Sequence, residues 1–181
     1  MAFRKVVLTA PHYRCMWQGM PREQMRCEPE TRRAIRAAGA AARRCGLKTK
    51  ALFGNLFREV VDLNRPEGRE TKFRQKVERE FDKQTVVLDV HTSPPEAFDE
   101  GTDVMVLVSG RGMNREFATE MAGRLEERGL KVELKPASRV NDIVEQAGDR
   151  TAGAVLLELN PAKDVERSSS EIGNALCDWG R

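Results

Sequence analysis

The sequence predicts an α/β fold, a three-layer α/β/α sandwich with a central mixed, mainly parallel sheet. Three observations predict it. Short, nearly continuous apolar runs at 5–8, 86–90, 104–108 and 154–159 read as strands covered on both faces. Between them, Phe73, Val77 and Phe81, then Phe117, Met121 and Leu125, then Ile172, Leu176 and Trp179 recur at helical spacing. Gly46, Gly129, Pro66, Pro94-Pro95 and Pro161 punctuate the runs. Strands alternating with helices need helices on both faces of the sheet.

Taken in order, a first strand at 4–9 gives way to a long connection from Pro11 to Pro29, a length more typical of a functional loop than of idle chain. An Ala- and Arg-rich helix follows to about Cys45, with Pro29 suited to its first turn and Gly46 past its end. A short strand is expected at 47–53. A second run at 60–65 opens as a strand and breaks at Pro66. A helix at 70–81 leads to the strand that begins at Val86, and a strand at 104–108 to a helix at 114–128. A strand at 130–134, a short helix at 140–147, the last strand from Ala154 and a closing helix at 164–179 complete the chain.

The 181 residues suffice for one hydrophobic core, so 1–181 is expected to be a single domain. Acids and bases are interspersed and the net charge is only +3, which gives no nucleic-acid footprint. The arginines at 32, 33, 36, 43 and 44 suit a solvated helix face better than a groove reader. Apolar runs are strand-length, so no membrane helix is expected. The N-terminal residues enter a strand directly, so no signal peptide is expected. Four cysteines without C-x-x-C spacing are expected to be free thiols in a reducing, cytoplasmic setting. The chain is expected to be a monomer or weak homo-oligomer.

The chemistry sits at the strand ends. His12 and His91 are the only histidines, and each lies just beyond or at the end of an apolar strand, the edge where α/β sheets assemble sites. Neutral imidazole is the commonest metal ligand, and a catalytic zinc usually takes three protein ligands. For the third, Glu28, Glu30, Cys15 and Asp89 all qualify on chemistry. Asp89 shares a strand face with His91 and is alternatively an outer partner for its second nitrogen. Glu158 is an acid inside an apolar strand, which is costly unless the group is paired, coordinated or at a solvated edge. Arg65, in Asp62-Leu63-Asn64-Arg65, either clamps a carboxylate or ties a strand end.

Together these segments resemble a known family. Thr9-Ala10-Pro11-His12, Asp62-Leu63-Asn64-Arg65, Asp89-Val90-His91-Thr92-Ser93 and Leu156-Leu157-Glu158-Leu159-Asn160 are similar, in order, to the x-x-P-H, D-L-N-R, D-x-H-S and x-x-E-x-N motifs of the N-formylglutamate amidohydrolases. That family groups with zinc carboxypeptidases and aspartoacylases and shares their sandwich. The resemblance implies one zinc ion on His12 and His91, with Glu158 as general base. Arg65, with Asn64 beside it, would bind a substrate carboxylate or polarise a carbonyl. The third position after the first histidine, Glu in the carboxypeptidases, is Cys15 here. Glu28-Pro29-Glu30-Thr31 resembles the E-P-x-T helix start of phage poly-γ-glutamate hydrolases, whose first Glu is a ligand, which favours Glu28 over Glu30 and Cys15. Arg111 and Arg139 are further cations for substrate, with solvation as the alternative. The implied activity is zinc-dependent cleavage of the amide of an N-acyl amino acid, or of a glutamyl or peptide-like substrate. The alternative is a non-catalytic, carboxylate-binding relative with an incomplete metal site.

Overall fold

The computed structural model describes residues 3–15, 27–58, 60–108, 113–137 and 141–179. Among these residues, six strands form one sheet: β1 (Lys5–Ala10), β2 (Lys48–Phe53), β3 (Thr85–Thr92), β4 (Val104–Val108), β5 (Val132–Pro136) and β6 (Gly153–Leu159). They lie in the order β2-β1-β3-β6-β4-β5. The first four in that order run parallel, β4 runs antiparallel to β6, and β5 follows β4 in parallel. The sheet is therefore mixed and mainly parallel. The central strands β1, β3 and β6 carry the continuous apolar runs because both their faces are covered. The edge strands β2 and β5 place Lys48, Lys50 and Lys135 along the rim, which discourages pairing with another chain.

Alternation along the strands sorts the side chains between two layers. Val6, Leu8, Val86, Leu88, Val155 and Leu157 pack beneath α1 (Thr31–Arg44), α3 (Met113–Glu127) and α5 (Val165–Trp179). Val7, Val87, Ala154 and Leu156 pack against Leu63, α2 (Lys72–Glu78) and α4 (Asp142–Ala147). Stepping two residues along each strand puts Thr9, Asp89, His91 and Glu158 on this second, thinner face. No helix of the described residues is long and apolar enough to cross a membrane.

Three local expectations are corrected. Residues 60–65 form turns instead of a strand, because Asp62 and Asn64 favour turn geometry and Arg65 N donates back to Asp62 O at 3.1 Å. Helix α2 is shorter than 70–81: Thr71 caps its start, and Phe81 lies past its end while still packing on the core. The cysteines are paired, Cys15 with Cys27 and Cys45 with Cys177. Their Cα atoms approach to 5.0 and 5.7 Å through the fold, which spacing in the chain does not reveal. The second bond ties the end of α1 to α5.

Helices α1 and α5 touch closely at Gly173, where a Cβ would lie 2.2 Å from Ala38 O. Helix propensity alone would favour alanine there by about 1 kcal/mol. The clash is with backbone and reverses that sign. Gly173→Ala is expected to lower stability by about 1–3 kcal/mol in urea unfolding; an unchanged or raised midpoint would contradict this packing.

Candidate metal centre

His12 follows the end of β1 by two residues, and His91 is the penultimate residue of β3. Glu28 arrives from the other end of the Pro11–Pro29 connection. Its amide donates to His12 O at 2.8 Å, and the Cys15–Cys27 bond closes the same loop just inside both residues. The Glu28 carbonyl then accepts the Thr31 hydroxyl at 2.6 Å as α1 begins, which turns the carboxylate inward. The structure brings together His12, Glu28 and His91, all buried, with one donor atom of each within 4.8 Å of the others.

The orientation of the rings matters more than their proximity. Both Nδ1 atoms face Glu28, His12 at 3.2 Å from Oε1 and His91 at 3.0 Å from Oε2. Both Nε2 atoms face away, His12 to Asp62 Oδ1 at 2.8 Å and His91 to Asp89 Oδ2 at 2.9 Å. A carboxylate on Nε2 holds a hydrogen there, the outer arrangement of a metal-bound histidine, and lets Nδ1 bind a cation in exchange for any proton it shares with Glu28. Two imidazole nitrogens and one carboxylate oxygen are the donor set of a catalytic zinc site with a position left open. The residues present fit that ion.

Asp89 is saturated as an acceptor. It receives the Thr9 hydroxyl on Oδ1, and the amides of Asn64 and Asn141, each at 2.7 Å, on Oδ2 beside His91. Burial disfavours its charge, but His91 and these donors outweigh burial and lower its pKa. Burial likewise works against Glu28, and the charge of His91 with hydrogen bonds from both rings holds it far below the carboxylate range. Asp62 is lowered in the same way, burial being overcome by His12, the Asn64 amide and Arg58. Burial opposes a charge on His91, yet Glu28 and Asp89 raise its pKa well above 6.5.

Glu158 lies directly across from His91 in the β3–β6 register, in a strand flanked on both sides, so the solvated-edge alternative does not hold. Its Oε2 accepts the Ser93 hydroxyl at 2.9 Å. Burial raises its pKa, helped by the charge of Glu28 and opposed by His91. A cavity of ≈ 500 Å³ opens over these groups, and Arg58, Arg65, Asn64, Thr92 and Ser93 also line it. That is the size of an ordinary small-ligand site.

The other sequence candidates fall into place around this cavity. Arg65 lines it, with Nε 3.8 Å from Asp62 Oδ2. Asn64 commits its amide nitrogen to Asp89, and its Oδ1 is buried without a hydrogen-bond partner among the described residues. Glu30 lines the cavity but is not among the three converging donors. Cys15 is half of a disulfide and has no thiolate to offer, which corrects its candidacy as a ligand. Arg111 and Arg139 lie outside the described residues. Sequence reasoning gave no role to Asp62, although it opens the D-L-N-R segment, and it missed Asn141 and Arg58. Arg58 stands 3.5 Å from Glu28 and 3.4 Å from Asp62. Neither Asn141 nor Arg58 carries a signal of its own, since both reach the site only through folding.

No protein-family model matches this chain, and no curated protein sequence does. Solved structures match its fold. The gene product Atu2144 from Agrobacterium tumefaciens aligns with 96% of this chain and 87% of its own, with a TM-score of 0.68 and 14% identity. The N-acetylmuramoyl-L-alanine amidase AmiC2 of Nostoc punctiforme aligns over 99% and 97%, with a TM-score of 0.57 and 11% identity. The CwlD amidase from Clostridioides difficile, solved with the GerS lipoprotein, aligns over 97% and 98%, at 0.58 and 13%. At such identities the likeness is one of fold.

A cation on the His91 Nδ1 must release the proton that its raised pKa retains. Zinc affinity, measured by chelator competition, is therefore expected to rise about tenfold per pH unit while His91 stays protonated; a flat profile around neutrality would contradict it. Reducing the Cys15–Cys27 bond, or replacing both cysteines by serine, returns freedom to the segment carrying Glu28. Binding is expected to weaken roughly tenfold, and unchanged affinity would show that the brace does not matter.

Proposed function

We propose that this chain is a zinc-dependent hydrolase of amide bonds. One observation carries the reading. Two Nδ1 atoms and a carboxylate converge while both Nε2 atoms are pinned by carboxylates, and a fourth acid, Glu158, stands across the strand from His91. His12, Glu28 and His91 would hold the ion. Zinc there would supply Lewis acidity toward an amide carbonyl and lower the pKa of the attacking water.

The remaining work falls to the chain's own residues. Glu158 takes the proton of the attacking water and delivers it to the departing amine, a task its raised pKa suits. Ser93 occupies its Oε2 and leaves Oε1 to carry that proton. Arg65 in the cavity wall reads a substrate carboxylate or polarises the scissile carbonyl. Asn64 acts from beside it. Arg111 and Arg139 remain further substrate cations in this proposal.

Two substrate classes follow from what supports the reading. The sequence resemblance favours an N-acyl amino acid or a glutamyl, peptide-like amide. The fold likeness to N-acetylmuramoyl-L-alanine amidases adds the amide that joins a muramoyl group to L-alanine. The two disulfides favour an oxidising compartment over the cytoplasm expected from cysteine spacing.

Purified protein is expected to hold one zinc per chain, lost in His12→Ala and in His91→Ala. Glu158→Gln is expected to keep the metal and lose hydrolysis by about 10²–10⁴-fold against N-acyl amino acids, glutamyl peptides or muramoyl peptides. Activity surviving in Glu158→Gln would remove the general-base assignment. Metal bound without turnover of any of these substrates would instead favour the non-catalytic reading. Activity requires ionised Glu158, so the acidic limb of the pH–rate profile is expected above the ordinary carboxylate value of 4.5.

A further inference from the structure

Two of the segments that support the histidines' outer partners are joined through one side chain. We propose that Arg74 is a positioning residue for the metal centre; this rests on reading His12, Glu28 and His91 as the metal-holding group. Arg74 lies on α2 and is completely buried, where a guanidinium is costly unless it is paired; its two terminal nitrogens are answered, while its Nε has no hydrogen-bond partner among the described residues. Its Nη1 donates to Leu63 O at 3.1 Å. Its Nη2 donates to Asp142 Oδ2 at 2.8 Å and to Gln146 Oε1 at 2.6 Å. Asp142, also buried, takes a second guanidinium from Arg69.

These acceptors are adjacent in sequence to the orienting residues. Leu63 stands between Asp62, on His12 Nε2, and Asn64, on Asp89. Asp142 follows Asn141, also on Asp89, and its amide donates to Asn64 O at 3.1 Å. One planar fork thus joins the 62–64 turn to the start of α4; the turn carries Asp62, on the outer nitrogen of His12, and the two segments supply the Asn64 and Asn141 amides on Asp89, which holds that of His91. Each segment has bonds of its own, Asn64 N–H and Arg65 N–H onto Asp62 within the turn and Val144 N–H and Glu145 N–H onto Asn141 at the start of α4; what Arg74 adds is a tie between the two. A methionine in place of Arg74 would fill the volume but leave Leu63 O without its partner and Asp142 with Arg69 alone. A lysine would keep the charge and reach only part of the fork.

The test separates orientation from mere stability. Zinc affinity by chelator competition and the unfolding midpoint are measured for Arg74→Met, Arg74→Lys and Leu125→Ala, a core change on the opposite sheet face. Both Arg74 variants are expected to bind zinc about tenfold more weakly at temperatures where they are fully folded. Leu125→Ala, although destabilised, is expected to bind as the unaltered chain does. Asp142→Asn, which weakens the same fork from its other end, is the second variant if Arg74→Met fails to fold. The ring Nε2–H resonances of His12 and His91 give a readout without metal. They are expected to be sharp in the unaltered chain and to broaden through exchange in the Arg74 variants. Unchanged affinity and unchanged ring resonances would overturn the role of Arg74, as would an affinity loss that merely tracks stability in all variants. If the unaltered chain binds no zinc, the metal reading fails, and the ring resonances still decide whether Arg74 positions the histidines.

Discussion

Everything at this site depends on a largely buried chain of alternating carboxylates and imidazoles, Asp62–His12–Glu28–His91–Asp89. Each imidazole lies between two carboxylates, and the central Glu28 is shared by both rings. Three carboxylates face two imidazoles, and Arg58 and Arg65 also answer Glu28 and Asp62 from the cavity wall. Burial makes each of these pairings matter in a low-dielectric interior. What points toward a cation is direction: both Nδ1 atoms converge on Glu28 while both Nε2 atoms are held by outer carboxylates.

The fold supplies this arrangement through simple alternation. In β1 and β3, residues facing the three-helix layer are aliphatic, and those facing the thinner layer become polar toward the strand ends: Val7 then Thr9, Val87 then Asp89 and His91. The parallel register sets Thr9 beside Asp89 and His91 beside Glu158. Among the described residues the thinner layer has the short α-helices α2 and α4, and its irregular 62–65 turn leaves room for a cavity instead of a packed helix. The same economy explains why a buried arginine is needed there. A layer with few aliphatic contacts relies on directed hydrogen bonds to fix its segments.

Most of the architecture was legible because strands covered on both faces leave a strong apolar signature, as at Val86–Val87–Leu88. The 60–65 turn was not: two valines imitate a strand until Asp62 and Asn64 take up their own partners. At the site, His12, Glu28, His91 and Glu158 could be singled out as residue types at strand ends or from the resemblance, and the structure gathers them. Asn141 and Arg58 could not, because nothing local distinguishes a capping asparagine or a loop arginine from its neighbours. The cysteine pairs were misread for the same reason. Absence of C-x-x-C says nothing about partners 12 and 132 residues apart.

X-ray absorption at the zinc edge of the loaded protein reads the ligand shell itself. A site held by His12, Glu28 and His91 is expected to give imidazole scattering from two nitrogens at about 2.0–2.1 Å, with the remaining shell filled by oxygen. A sulfur neighbour at about 2.3 Å, or a shell without imidazole, would contradict it.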